Sequence, residues 1–403
     1  MSQAYILDGI RTPVGAFAGS LSSVRPDDLA AHVISALIKR NPEISLSAAN
    51  QVIMGCANQA GEDNRNVARM ASLLAGLGHQ VPAETVNILC ASGMAAVANA
   101  ARNIKAGDGD LFIAGGVESM SRAPYVMSKA STAFARDAQL FDTSIGWRFV
   151  NPRMKKMFGV DSMGETAENV AEAYGISRND QDAMAVWSQQ KAAASRASGR
   201  FDIEIEPVSI PSRKGDPVVV AADEFIKPGT TMETLGKLKP AFREGGTVTA
   251  GNASGINDGA AALIVASEKF VRDNHAKPLA RVVASAVSGV EPRVMGIGPV
   301  TAANNALAKA GLTWNDISVL ELNEAFAAQG LACIRQWGLQ DNDPRINPNG
   351  GAIAIGHPLG MSGSRLVLTA ARQLEITGSK YALCTMCVGV GQGYAIIIEN
   401  TRI

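Results

Sequence analysis

The stretch Thr85-Val86-Asn87-Ile88-Leu89-Cys90-Ala91-Ser92-Gly93-Met94 decides the fold. Val86, Ile88 and Leu89 read as the end of a buried strand. After Ser92, residues Ala95, Ala96, Val97, Ala100, Ala101 and Ile104 recur at helical spacing and stop at Gly107. Cys90 therefore falls where a strand turns into the first turn of a helix. Unpaired N–H groups and the positive dipole end at such a place lower a thiol's pKa and can hold an oxyanion. The small neighbours Ala91, Ser92 and Gly93 leave room for a substrate. Cys90 is thus a candidate nucleophile, with a buried structural cysteine as the alternative.

Outward from this stretch, the same grammar repeats. Asp110–Ala114 is a short apolar strand running into Gly115-Gly116-Val117-Glu118-Ser119-Met120-Ser121, as at a strand end facing a ligand crevice. In the second half, Ile317–Leu322 reads as a strand with Asn323 at its end and a helix starting at Glu324. Gly350–Pro358 leads into a helix near Ser362–Leu374, and Tyr381–Cys387 is a further strand. Turn, helix, glycine turn and strand are spaced alike in both halves, which predicts a duplicated α/β fold. The character changes between Arg122 and Ala250, where aromatics, methionines and charges accumulate. The expected organisation is an N-terminal half (1–121 and 251–274), an inserted loop domain (122–250) and a C-terminal half (275–403).

At 403 residues the chain exceeds one ordinary core, consistent with two halves. Lys plus Arg and Asp plus Glu are 37 each, so no charge excess points to nucleic acid or a membrane surface. The N-terminus enters a strand without a basic leader, and five cysteines are an odd number for a disulfide framework. A cytoplasmic protein is expected. Cys384 and Cys387 form a CxxC on a strand with no second pair, so no metal site is expected. His357, held between Gly356 and Pro358, is a candidate acid/base, with a structural histidine as the alternative.

Asn87–Gly93, Gly115–Ser121, Asn323-Glu324-Ala325-Phe326, Gly356-His357-Pro358 and Cys387-Val388-Gly389 together resemble the ordered motif set of the thiolases. The resemblance runs from Tyr5 to the C-terminus. It implies an α/β, five-layer αβαβα sandwich of two similar halves plus the inserted loop domain. It also implies an acyltransferase in which Cys90 takes the acyl group, His357 draws its proton and Cys387 is the second acid/base. One oxyanion hole would use His357 with a water held by Asn323, the other the N–H groups of Cys90 and Gly389.

By the same resemblance coenzyme A is a co-substrate, no cofactor is permanently bound, and the partners are an acyl-CoA and further copies in a dimer or dimer of dimers. The matching CoA and substrate positions are Met163, Lys227, Thr234, Phe242, Ala250, Ser254, Met295, Ala325 and Phe326. Lys227 stands where Arg is usual, Ser162 where His is usual, and Ile88 and Ala91 replace the commoner Arg and Gly. Residues 56–70, 144–152 and 381–393 look most like thiolases acting on 3-oxoadipyl-CoA in aromatic catabolism. An acetyl-CoA acetyltransferase, a general 3-ketoacyl-CoA thiolase and a non-catalytic acyl-CoA-binding protein are the alternatives. A distal carboxylate calls for a cation in the pocket, and Arg148 is the candidate; the alternative is a solvated surface arginine.

Overall fold

The computed structural model describes residues 2–402. Its first half runs β1 (Ala4–Arg11), α1 (Pro26–Arg40), β2 (Gln51–Gly55), α2 (Val67–Leu74), β3 (Ala83–Val86), α3 (Ser92–Ala106), β4 (Leu111–Ser119) and β5 (Asn257–Ser267). The second half runs β6 (Ala280–Gly289), α4 (Gly298–Ala310), β7 (Ile317–Leu322), α5 (Ala327–Gln336), α6 (Leu359–Thr377), β8 (Tyr381–Val388) and β9 (Gln392–Asn400).

The halves repeat strand for strand. β2 lies parallel to both β3 and β4, and β5 is antiparallel to β4 and to β1. Correspondingly, β7 is parallel to β8, and β9 is antiparallel to β8 and to β6. The place of β3 is taken in the second half by a single parallel bridge, Leu320 to Ile346. A short antiparallel contact of β1 with β6 joins the two sheets edge to edge.

Alternation along the strands builds the layers, since successive side chains point to opposite faces. In the first sheet Val52, Met54, Ile113 and Ile264 face α1 and α2, whereas Ile53, Phe112, Ala114 and Val265 face α3 and α6. In the second, Cys384, Met386, Ile396 and Ile398 face the same two inner helices, and Leu383, Ala395 and Ile397 face α4 and α5. The order is helix, sheet, helix, sheet, helix, the expected five-layer sandwich. Both sheets are covered on both faces, so their strands read as continuous apolar runs.

The inner layer is tight because it is lined with small residues. A Cβ built on Gly116 of β4 would run into the carbonyl oxygen of Gly360 in α6. Gly116→Ala is therefore expected to cost about 3 kcal/mol through overpacking, and the denaturant midpoint would show it. A midpoint equal to wild type would mean the helix yields.

Between β4 and β5 the chain leaves the sheet. It forms two small hairpins (Tyr125–Met127 with Leu140–Asp142, Val208–Ile210 with Val218–Val220) and helices at Pro152–Phe158, Met163–Tyr174, Arg178–Ala197 and Met232–Gly236. Ser177 and Asp180 form a capping box at the start of the Arg178–Ala197 helix. Two helix starts differ from expectation. Phe326 is extended and bridges to Ala253, so α5 begins only at Ala327. The helix after His357 begins at Leu359, directly behind Pro358.

Candidate active site

Cys90 sits in a 3-10 turn, Leu89–Ala91, that feeds directly into α3. Ser92 holds this turn by accepting from the Ile88 N–H at 3.0 Å and donating to the Leu89 carbonyl at 2.6 Å. Leu89 has a φ of 49°, an unusual backbone for leucine, and Val390 beside Gly389 has 65°. Strain of this kind on both sides of a nucleophile is a feature of functional sites.

Cys90 and Gly389 open onto a cavity of about 340 Å³, walled also by Asn58, Asn87, Glu118, Met120, Trp147, Arg148, Met163, Leu359 and Val390. Gly389 has no side chain where a Cβ would press on Leu89 at 3.0 Å, which keeps the approach to the sulfur open. Its backbone N–H favours the thiolate form of Cys90.

The expectation that the helix start lowers the thiol's pKa is overturned. Burial raises Cys90 to about 11, outweighing the N–H groups of Gly389 and of Cys90 itself, which pull it down. Cys387, on β8, is buried and pushed well up by that burial and by the neighbouring Cys90. It packs with Met163, Ala167, Met295, Ala325 and Phe326. Both cysteines are thus neutral thiols in the resting protein.

His357 is bound on every side. Its backbone N–H donates to Asn257 Oδ1 at 2.8 Å, made possible by Gly356 at φ 111°, where a Cβ would collide with Asn257. Its Nδ1 lies 2.6 Å from Ser362 Oγ, and Ser362 donates its hydroxyl proton to the Pro358 carbonyl at 2.8 Å. Ser362 must then accept from Nδ1–H, which leaves the lone pair on Nε2. Asn323 Nδ2 faces that nitrogen at 3.4 Å. Burial, followed by the Arg365 charge, lowers His357 to about 3, so the ring is a neutral base.

Asn323 is itself fixed by its backbone N–H to the Thr385 carbonyl of β8 at 3.0 Å. Its Oδ1 is buried and has no partner among the described residues, which suits a donor brought by substrate or solvent. The adjoining Glu324 accepts from Ser188 at 2.6 Å and Asn347 at 2.7 Å, anchoring the loop.

The structure therefore brings Cys90, Gly389 and Cys387 together, and separately His357 and Asn323. Among the described residues no hydrogen bond joins His357 to Cys90; such bonds often tighten only with substrate present. Of the expected CoA positions, Met163, Met295, Ala325 and Phe326 share the Cys387 cluster. Phe242 meets Phe326 edge-on at 6.2 Å, and Ser254 donates its N–H to the Ala325 carbonyl at 2.9 Å. Lys227, Thr234 and Ala250 are exposed and do not line the cavity. Lys227 lies over the Phe225 ring at 4.8 Å, and Thr234 caps its own helix. Ser162, in the usual place of His, caps the helix that begins at Met163.

Three residues escaped the sequence reading. Ser362 lies five residues beyond His357, in the first turn of the helix that starts at Leu359. Asn257 comes from a strand 100 residues away, with no local signal. Glu118, inside a quoted motif, is a buried carboxyl on the cavity wall that accepts from the N–H groups of Ala57, Asn58 and Gly360. Burial raises it to about 7. Ser362→Ala is expected to lower kcat about 10-fold by freeing the tautomer. It should also displace the pH profile of Cys90 alkylation, with Ser362→Thr restoring both; an unmoved profile would leave Ser362 a purely structural role.

Residues 4–269 match the model of the thiolase N-terminal domain, and 276–400 that of the thiolase C-terminal domain. The chain is 60% identical to the beta-ketoadipyl-CoA thiolase of Acinetobacter baylyi, over 99% of this chain and 100% of that one. It is 59% identical, with the same coverage, to the 3-oxoadipyl-CoA/3-oxo-5,6-dehydrosuberyl-CoA thiolase of Escherichia coli. Solved structures of Bacillus anthracis acetyl-CoA acetyltransferase (37% identity) and human mitochondrial 3-ketoacyl-CoA thiolase (39%) superpose with a TM-score of 0.92, covering 99% of each chain. No helix among the described residues is long and apolar enough to cross a membrane. A strand-for-strand duplicated sandwich, a thiol on a strained turn and matches along nearly the whole chain lead to one conclusion: this protein belongs to the thiolase family and is an acyltransferase.

Proposed function

We propose that the chain cleaves 3-oxoadipyl-CoA with coenzyme A, giving succinyl-CoA and acetyl-CoA. The observation that carries the substrate is the end-to-end similarity, 59–60%, to the two thiolases whose names specify that acyl group.

Each residue has a task. Cys90 passes its proton to His357 Nε2, and the thiolate attacks the 3-oxo carbon. The bond between C2 and C3 breaks, leaving a succinyl thioester on Cys90 and the enolate of acetyl-CoA. Cys387 protonates that enolate and acetyl-CoA leaves. Cys387 then takes the proton of incoming CoA as its sulfur attacks the thioester. The bond from Cys90 to the acyl carbon breaks to release succinyl-CoA, and His357 returns its proton to Cys90. While it carries Nε2–H, His357 and a water held by Asn323 stabilise the enolate oxygen. The N–H groups of Cys90 and Gly389 stabilise the oxyanion formed at the acyl carbon.

Coenzyme A would reach this point along the loop domain 122–250, past Met163, Phe242, Met295, Ala325 and Phe326, with Lys227, Thr234, Ala250 and Ser254 along its outer part. No permanently bound cofactor is needed. The assembly would be a dimer or dimer of dimers in the cytoplasm, in keeping with five free cysteines.

The test is intact-protein mass after brief mixing with 3-oxoadipyl-CoA, beside acetoacetyl-CoA. A succinyl adduct supports the assignment. An acetyl adduct from acetoacetyl-CoA alone would transfer the chain to the acetyl-CoA acetyltransferases.

A further inference from the structure

Two charged side chains line the Cys90 cavity, Glu118 and Arg148. Glu118 commits its oxygens to three backbone N–H groups and forms no ion pair with Arg148. Arg148 is half-buried and, among the described residues, has no hydrogen-bond partner. That is exceptional here. The other half-buried or buried arginines are paired, as Arg122 is to Glu62 and Arg345 to Asp343, or bonded to backbone carbonyls as Arg69 is. A guanidinium on the cavity wall that no protein group engages keeps its fork of donors free for an anion that enters the cavity.

The segment that carries it is held in place from both sides. Trp147 donates its indole N–H to the Asp161 carbonyl at 3.2 Å, and Phe149 packs edge-on against Phe141 at 5.1 Å. No acid occurs between Asp142 and Asp161, whereas Arg148, Arg153, Lys155 and Lys156 do, so the segment that supplies this wall carries net positive charge.

We propose that Arg148 is the acyl-specificity residue, its guanidinium binding the distal carboxylate of the dicarboxylic acyl group that Cys90 carries. This rests on the 3-oxoadipyl reading and names the contact that produces it. The planar fork suits two parallel bonds to a carboxylate, which a methyl-terminated acyl group of the same length cannot make.

The experiment compares kcat/KM for 3-oxoadipyl-CoA with that for neutral 3-oxohexanoyl-CoA in wild type, Arg148→Met and Arg148→Lys. In Arg148→Met the ratio should fall about 100-fold, as when one partner of a shielded charge pair is removed. Arg148→Lys should keep part of the preference, since the charge survives and the fork does not. A ratio in Arg148→Met within threefold of wild type, with wild type preferring 3-oxoadipyl-CoA, overturns the role of Arg148 and leaves the substrate standing. A wild-type enzyme indifferent to the carboxylate overturns both.

Discussion

Cys90→Ser is expected to form no acyl adduct with any 3-oxoacyl-CoA and to lose on the order of 10^4-fold in kcat or more. Serine keeps the shape of the buried turn, and its hydroxyl can still receive the Gly389 N–H, so the thermal midpoint should move little. What disappears is an ionisable nucleophile. Even raised to about 11, the thiol lies closer to the reach of a neutral imidazole than an alcohol does. Intact-protein mass decides the matter, because an adduct persisting in Cys90→Ser would move the nucleophile elsewhere, with Cys387 the next thiol.

The second large effect belongs to His357→Asn, which removes the proton acceptor while leaving Asn323 in place. Loss of a positioned base is expected to lower kcat about 10^2- to 10^4-fold. The same substitution has a pH signature of definite sign. His357 titrates near 6.5 when unfolded and near 3 in the fold, where burial and the Arg365 charge keep it neutral. Its contribution to stability is therefore whole above about 6.5 and is lost as pH falls toward 3, because the unfolded chain takes up the proton first. Thermal midpoints measured across that window should fall less steeply in His357→Asn than in wild type. Parallel curves would mean that the ring titrates in the fold as it does in the unfolded chain.

These two effects share a cause. The thiol and the imidazole are both held neutral by burial, and neither ionises alone. Proton transfer between them creates both charges at the moment when the substrate's developing oxyanion and the N–H groups of Cys90 and Gly389 can use them.

Much of this protein was legible in its sequence. The apolar runs at Asp110–Ala114 and Tyr381–Cys387, the glycine turns and the matched spacing of the two halves announced a duplicated α/β fold. These are consequences of local sterics and of which side of a strand each residue faces. Cys90 at a strand-to-helix junction and His357 between Gly356 and Pro358 were visible for the same reason.

Tertiary structure decided what depends on burial and on distant partners. The helix start argued for a lowered thiol at Cys90, and burial against α6 and the second sheet reversed the sign. The Nε2 lone pair of His357 follows from Ser362, and the position of its backbone from Asn257 across a hundred residues. No pattern in residues 122–250 could say whether Arg148 faces solvent or the cavity. Backbone preference acts within a few residues and survives in the sequence, whereas desolvation, charge and hydrogen-bond partnership exist only once the chain has closed on itself.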